Sequence, residues 1–265
     1  MSTSEYKSFA VVIVSTQVEL DSIMKTFSWK PMLLEGDAQQ YYEFFSAASD
    51  GEPVFIVAAK NDKMSNVASA TLATKMIDRF HPHYVILVGV AAGVRFAHKE
   101  EQPAIGDVVV ADRVWTFSAG KYVSSSDSPL HTEDIGFLPR PQVHNMNEQL
   151  REFIKKRIIQ SGLKYKIHLG ALASGYSVVA NRHIVERYVI PVVEKTKGLD
   201  MESYGVFYAV EHATEPRPVA LVVKGICDFA DENKNDDYQK IAADNSCDFI
   251  NYLMGEILLK FKSQK

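Results

Sequence analysis

The sequence predicts an α/β fold, a three-layer α/β/α sandwich with a mixed central sheet. Short apolar runs alternate along the whole chain with longer segments whose apolar residues recur at helical spacing. Chains built in this order place helices on the faces of one sheet, because each element has to bury its apolar side. The length of 265 residues, 46% of them hydrophobic, and the lack of a linker-like tract predict one domain over residues 1–265.

The predicted strands are continuous apolar runs, as expected for strands that are covered on both faces. Turn residues delimit them, such as Gly106 and Asp107 before the fourth strand. The strands are Phe9–Val14, Pro53–Ala59, Tyr84–Gly89, Val108–Ala111, Ile167–Ala173 and Val219–Gly225.

The predicted helices connect these strands. Val18–Phe27 follows the first strand, and Met64–Phe80 ends before a proline-containing turn. The remaining helices are Asn145–Ile159, Glu202–His212 and Tyr238–Phe261. Between them, Ser118–Pro141 is rich in Ser, Asp, Gly and Pro with little periodicity, which predicts a surface loop.

The composition excludes several classes of partner. Lys and Arg number 29 against 33 Asp and Glu, so no excess positive field attracts a nucleic-acid polymer or an anionic membrane. The first residues, Met1–Ser8, are polar. The apolar run after them is too short for the hydrophobic region of a signal peptide or for a membrane span. The cysteines, Cys227 and Cys247, fit reduced thiols. We therefore expect a cytoplasmic protein.

A carboxylate follows the most apolar predicted strand. Val219–Gly225 runs out through Ile226 and Cys227 into Asp228. At such a strand end, desolvation can raise the pKa of a carboxyl group, which suits a proton donor. A helix cap or a solvated turn also accommodates an aspartate here, and on this feature alone that interpretation is favoured.

Two more carboxylates flank a methionine just before an apolar helix. Alternation along the extended chain points Asp200 and Glu202 the same way, with Met201 opposed. Either carboxylate could instead stabilise the helix N-terminus, and on this feature alone that interpretation is preferred.

A third feature is the turn of small residues predicted at Gly89–Gly93, where backbone amides and a ligand can approach closely.

Taken in order, these features resemble the nucleoside phosphorylase and nucleosidase superfamily, especially the methylthioadenosine/S-adenosylhomocysteine nucleosidases. The resemblance spans nearly the whole chain. Its pieces are the opening strand leading to Glu19, Val88–Val94, Ile105–Asp112, Ala173–Asn181, Leu199–Glu202 and Lys224–Asp231. It implies a phosphorylase-like fold, cleavage of the N-glycosidic bond of an adenosine-like purine nucleoside or nucleotide, and a homodimer or larger homo-oligomer.

The resemblance also implies roles for individual residues. Asp228 takes the place of the general acid that protonates the purine at N7, and Glu202 that of the carboxylate that holds the ribose hydroxyls. Met201 corresponds to a methionine packed against the sugar, and Glu19 to the residue that activates the attacking water. The reaction needs such groups, because its oxocarbenium-like transition state requires a protonated leaving group and a nucleophile on the opposite face.

The other implied binding residues surround these carboxylates. Tyr238 falls near the aromatic residue that lines the 5′ side of the substrate. Val178 and Val179 occupy the base-binding stretch, where the family often has an aromatic residue, so Val178 is a departure that affects base preference. The set is completed by Val90, Ala91 and Asp200.

Water is predicted as the nucleophile rather than phosphate. Phosphorylases of this superfamily hold phosphate with arginines and a serine, but no arginine precedes Arg79, and Val90 stands where a hydroxyl is expected. Lys60 and Arg95 could rescue a phosphate site or bind a phosphorylated 5′ arm, although solvated surface cations are the favoured interpretation. A phosphorylase and a non-catalytic nucleotide-binding sensor are the alternatives.

The remaining features are assigned no chemistry. His81 and His83 lack a third partner for a metal ion, and neither a metal nor a cofactor is expected. Cys227 has no activating histidine in a recognisable pattern and is interpreted as a buried filler. The large aromatic residues are interpreted as core or subunit interface, namely Trp29, Trp115, Phe117 and Tyr122.

Overall fold

A computed structural model describes residues 7–47, 53–95, 102–124 and 135–254. The strands are β1 (Ser8–Val14), β2 (Lys30–Met32), β3 (Tyr41–Ala47), β4 (Pro53–Lys60), β5 (Pro82–Gly93), β6 (Val108–Thr116), β7 (Gly120–Ser124), β8 (Ile135–Pro139), β9 (Val143–Asn145), β10 (Ile167–Ser174), β11 (Gly198–Asp200) and β12 (Val219–Asp228). The helices are α1 (Gln17–Ile23), α2 (Asn66–Phe80), α3 (Glu148–Ile158), α4 (Arg182–Tyr188), α5 (Ser203–Glu211) and α6 (Gln239–Tyr252).

A single mixed sheet forms the centre of the fold, as predicted. Its strand order is β11-β10-β6-β12-β5-β1-β4-β3-β2, with β9 paired to β6. Parallel pairing joins β12, β5, β1 and β4, whereas β3 runs antiparallel to β4 and part of β6 antiparallel to β12. β11 pairs with β10 and also with β5, so one half of the sheet closes into a ring.

Helices cover both faces of this sheet, which confirms the predicted layers. Neighbouring residues of a strand point to opposite faces. On β12, Lys224 reaches Glu202 just before α5, while a Cβ at Gly225 would overlap the Ala242 carbonyl of α6. α5 and α6 therefore lie on opposite sides of β12. α2 packs against α5, and α1 packs against α6.

The predicted strands are confirmed, and β5, β6 and β12 are each longer than predicted. β5 continues past Gly89 to Gly93, so the prediction of a turn at Gly89–Gly93 is wrong. These residues stay extended because both neighbouring strands pair with them. Ala91 is in register with Ile226 of β12, and Gly93 is in register with Gly198 of β11. The backbone is thus presented to the site from a strand.

The first helix is shorter than the predicted Val18–Phe27. α1 ends at Ile23, whose carbonyl accepts hydrogen bonds from Thr26 Oγ1 at 2.6 Å and from Trp29 Nε1 at 2.9 Å. Side chains that follow the helix thus take over a carbonyl that the next turn would have used.

The helix predicted from Asn145 begins later. The Asn147 side chain caps the Leu150 amide at 3.0 Å, which starts α3 at Glu148, and Asn145 belongs to β9. The helix predicted at Tyr238–Phe261 is α6, and the part of its predicted span beyond residue 254 lies outside the described residues.

The prediction of an irregular loop at Ser118–Pro141 is wrong for its described parts. β7 and β8 pair antiparallel as a small separate sheet. Tyr122 and Phe137 lie opposite each other with ring centroids 5.2 Å apart, so an aromatic pair joins segments that lack a clear alternation of apolar residues. Residues 125–134 lie outside the described residues. In the ranges that the structure describes, no helix has the length and apolar character to cross a bilayer.

Candidate active site

A cavity of about 370 Å³ opens where β1, β5, β11 and β12 reach the same edge of the sheet. Ligands of α/β sheets bind at such strand ends. The cavity brings together most of the predicted site residues, namely Glu19, Val90, Ala91, Val178, Val179, Asp200, Met201, Glu202 and Asp228. Tyr238 is half-exposed before α6 and does not line the cavity, although Asp236 and Gln239 on either side of it do.

Glu19 is fixed in the cavity by backbone amides. Its Oε2 accepts hydrogen bonds from Ser15 N at 2.6 Å and from Thr16 N at 2.9 Å. Its Oε1 accepts a hydrogen bond from Val90 N on β5 at 2.8 Å. The Thr16 side chain accepts in return from the Glu19 amide, so the two residues form a capping box at the start of α1. The same carboxylate therefore holds the helix and faces the cavity.

This arrangement depends on the glycine that precedes Val90. A Cβ at Gly89 would overlap the Glu19 carboxylate. The close approach that the sequence predicted for a ligand at Gly89 is thus used by another side chain of the protein.

Glu202 and Asp200 share one buried lysine. Lys224 Nζ lies 3.1 Å from Glu202 Oε2 and 3.4 Å from Asp200 Oδ2, with the lysine side chain fully buried. The two carboxylates thus point the same way, as alternation predicts. Asp200 also accepts hydrogen bonds from Ser203 Oγ at 2.7 Å and Ser203 N at 3.1 Å, so it holds the start of α5. Glu202 is the better placed of the two to bind a ligand hydroxyl.

Burial dominates the electrostatics of this cluster. Desolvation, helped by the negative charges of Asp200 and Glu19, raises the pKa of Glu202 to about 7 against the opposing effect of Lys224. Burial alone would lower the pKa of Lys224, but the surrounding carboxylates raise it above its usual range, so the lysine stays protonated. Of these two groups, Glu202 is the one that exchanges its proton near neutral pH.

Replacing Glu202 should change how stability depends on pH. A carboxyl group whose pKa is 4.5 when unfolded and about 7 when folded contributes stability that is complete below pH 4.5 and is lost as pH rises through 7. We expect the advantage of the wild type over Glu202→Gln in free energy of unfolding to shrink by roughly 3 kcal/mol across this window. Urea unfolding from pH 4.5 to 8 measures it, with Glu152→Gln on α3 as the control for one lost charge. A difference that stays constant with pH contradicts the prediction.

Asp228 ends β12 with both carboxylate oxygens engaged. Oδ1 accepts a hydrogen bond from Ala230 N at 2.8 Å. Oδ2 lies 2.5 Å from Lys234 Nζ and 3.3 Å from Cys227 Sγ. The chain turns out of the strand at Ala230, which has a φ of 54°. The cavity thus contains an ion pair at the strand end, and not only the carboxylate that the sequence predicted.

Apolar side chains form another wall of the cavity. Val179 and Met201 line it, and Val178 stands at the rim with 56% of its surface exposed. Phe117, which the sequence analysis assigned to core or interface, also lines the cavity and packs its ring against Gly175. The wall of the cavity therefore contains an aromatic side chain, Phe117, although Val178 offers none.

Lys224 and Lys234 belong to the site although neither was predicted from the sequence. Lys224 carries a usable signal, because a charge inside the apolar run Val219–Gly225 is tolerated only beside partners of opposite charge. Lys234 carries none. It is one of several charged residues between β12 and α6, and its contact with Asp228 depends on how that segment folds.

The two basic residues considered for a phosphate do not line the cavity. Lys60 Nζ donates to the Asn61 carbonyl at 3.3 Å. Arg95 lies over the Phe229 ring, 3.8 Å from its centroid, and pairs with Asp231 at 3.4 Å. The part of the chain that the structure describes has no group of three or more His, Cys, Asp or Glu that could hold a metal ion.

The arrangement places two carboxylates at different points of one strand. Glu19 contacts β5 at Val90, and Asp228 is the register partner of Ala92, two residues further along. Two residues of an extended strand span roughly 6–7 Å. The cavity borders both positions and Glu202. The site therefore presents three carboxylates, groups that can exchange protons, to one small polar ligand.

The chain belongs to the phosphorylase superfamily, whose family model matches residues 10–254. This range contains every residue that lines the cavity. Among curated proteins, the chain is similar to the ATP nucleosidase Cap17 of Escherichia coli, with 26% identity over 262 residues. That alignment covers 88% of this chain and 48% of the relative. The chain spans about half the length of the curated relatives it matches.

Solved structures share the fold at low sequence identity. The 5′-methylthioadenosine/S-adenosylhomocysteine nucleosidase of Helicobacter pylori superimposes with a TM-score of 0.71 at 20% identity, covering 94% of this chain and 98% of that one. The futalosine hydrolase of the same organism also gives a TM-score of 0.71 at 20% identity, covering 97% and 100% of the two chains.

Proposed function

We propose that this chain is a nucleosidase that hydrolyses the N-glycosidic bond of an adenosine-like purine nucleoside or nucleotide. The observation that carries the proposal is the meeting of Glu19, Glu202 and Asp228 around one cavity. The similarity to an ATP nucleosidase and the fold shared with nucleosidases support it.

In this mechanism each carboxylate has a separate task. Asp228 protonates the leaving base, and Glu202 binds the ribose hydroxyls and stabilises the positive charge that develops on the sugar. Glu19 accepts a proton from the attacking water. The three amides that hold Glu19 keep it in one orientation before the substrate arrives, which lowers the cost of placing the water.

Hydrolysis is preferred to phosphorolysis because of the charges around the cavity. Among the described residues that line it, Lys234 is the one basic side chain, and it is paired with Asp228. A phosphate dianion held beside Glu19 and Glu202 needs cations that these positions do not supply. Val90 offers no hydroxyl, as the sequence analysis noted.

The roles of the apolar wall are part of the same proposal. Phe117, Val178 and Val179 would enclose the base, and Met201 would pack against the sugar. Tyr238 would reach the 5′ group by turning inward from its exposed position before α6. We further propose that residues 1–265 act as one domain, since the larger hydrophobic cluster draws on residues from Phe9 to Met254. We also propose that the protein acts in the cytoplasm and as a homo-oligomer.

The direct test is release of free base. The purified chain is incubated with adenosine, inosine, methylthioadenosine, S-adenosylhomocysteine, AMP and ATP, with and without phosphate, and the products are separated by chromatography. We expect free base and a ribosyl product at the same rate in both conditions. Release that requires phosphate identifies a phosphorylase, and binding without release identifies a sensor.

A further inference from the structure

We propose that Lys234 acts through the general acid Asp228 as a positioning residue. Lys234 supplies the proton that Asp228 passes to the leaving base. The proposal rests on the proposed function and deepens it. The ammonium of Lys234 lies 2.5 Å from Asp228 Oδ2, inside the cavity. An ammonium at this distance from a carboxylate oxygen is placed to pass a proton to it.

The geometry selects which oxygen takes part. Asp228 Oδ1 is occupied by the Ala230 amide, so Oδ2 is the oxygen that can reach a ligand. Lys234 contacts this same oxygen. A base bound in the cavity would therefore share Oδ2 with the ammonium, and a proton that moves from Nζ to Oδ2 can pass on from Oδ2 to the base.

The step is balanced in atoms and electrons. One N–H bond of the Lys234 ammonium breaks and leaves a neutral amine. The carboxylate of Asp228 carries that proton on to the base, and the electrons of the C1′–N bond go with the leaving base. Water forms the new C1′–O bond and gives its proton to Glu19. Solvent then moves one proton from Glu19 to Lys234, so the enzyme returns to its starting state with one water consumed.

Other charged groups around the pair keep the lysine protonated at rest. Burial opposes the charge on Lys234, but Asp228 and Asp236 of the same loop raise its pKa above the usual value. Desolvation and the nearby Asp228 raise the pKa of Cys227 on β12 to about 12, with a smaller contribution from Glu19 of α1. The thiol is therefore neutral and does not compete with Asp228 for the ammonium.

The test compares pH profiles of base release in the whole chain. Without the ammonium, Asp228 must take its proton from water, and the protonated fraction of a carboxyl group falls about tenfold per pH unit above its pKa. We expect Lys234→Met to release base about 100-fold more slowly than wild type at pH 7.5. The deficit should shrink progressively toward pH 5. Lys240→Met, at an exposed ion pair on α6, is the matched control and should keep the wild-type profile.

A second variant separates proton supply from charge alone. Arginine keeps the positive charge but does not give up a proton in proteins. Lys234→Arg should therefore remain slow at pH 7.5, and propylamine should restore base release to Lys234→Ala. A deficit that is the same at every pH, or a fast Lys234→Arg, would overturn the inference. A wild type that releases no base from any substrate would instead reject the proposed function.

Discussion

Asp228→Asn should reduce the rate of base release by 10³-fold or more, in line with a general acid contributing about 10²–10⁴. The asparagine amide cannot pass a proton to the base, and the substitution also removes the ion pair with Lys234. Substrate binding should change little, because the side chain keeps its size and its hydrogen bond from Ala230 N. Single-turnover base release measures the first effect, and calorimetric titration with an unreactive nucleoside analogue measures the second.

Asp237→Asn provides the matched control for this variant. Asp237 lies in the same segment between β12 and α6, but it is exposed and does not line the cavity. Its replacement should leave rate and binding at wild-type values. If Asp228→Asn instead keeps more than a tenth of the wild-type rate, Asp228 serves the turn after β12 and another group protonates the base.

Lys224→Met should be the most destabilising single change in the site. Methionine replaces the aliphatic stem of the lysine but leaves Glu202 and Asp200 facing each other without a cation in the protein interior. Removing one partner of a buried ion pair costs about 3–5 kcal/mol in free energy of unfolding. Urea unfolding at pH 7.5 measures this loss. The variant should also lose base release, because Glu202 is no longer held in place for the ribose.

The pH dependence of this destabilisation distinguishes the loss of the Lys224 cation from poor packing of the methionine side chain. At lower pH the abandoned carboxylates can take up protons, so the destabilisation by Lys224→Met should become smaller between pH 7.5 and pH 5. Lys25→Met is the control, since its ion pair with Asp244 is exposed and contributes at most about 1 kcal/mol. A loss for Lys224→Met no larger than that of the control would show that the buried cation is dispensable.

The core of the fold could be predicted because its strands carry a local signal. β1, β4, β5 and β12 are continuous apolar runs, and such runs are buried wherever the chain places them. The short strands β2, β9 and β11 could not be predicted, because three residues have no periodicity to detect. Their extended form depends on the neighbours they pair with, as the pairing of β11 with both β10 and β5 illustrates.

The site was predictable to the extent that it follows strand ends. Asp228 ends β12, so its position followed from the predicted strand Val219–Gly225. Asp200 and Glu202 were found by their alternation before an apolar helix, since β11 was not predicted. Three features escaped because each depends on how the chain folds around the site. These are the shared cation at Lys224, the ion pair of Lys234, and Phe117 as the aromatic wall. Tyr238 was predicted only because it falls near an aromatic position of the similar family. In the structure it does not line the cavity.

The hydrogen bonds of Glu19 bear on how this activity could be lost. The three amides it accepts from tie α1 to the end of β1 and to β5, so a replacement without an acceptor leaves these amides, one of them buried, without this partner. A mutation that silenced the proposed water activation would therefore also weaken the fold. A variant that lost Glu19 and kept only ligand binding would need a second change elsewhere to restore the stability of the fold.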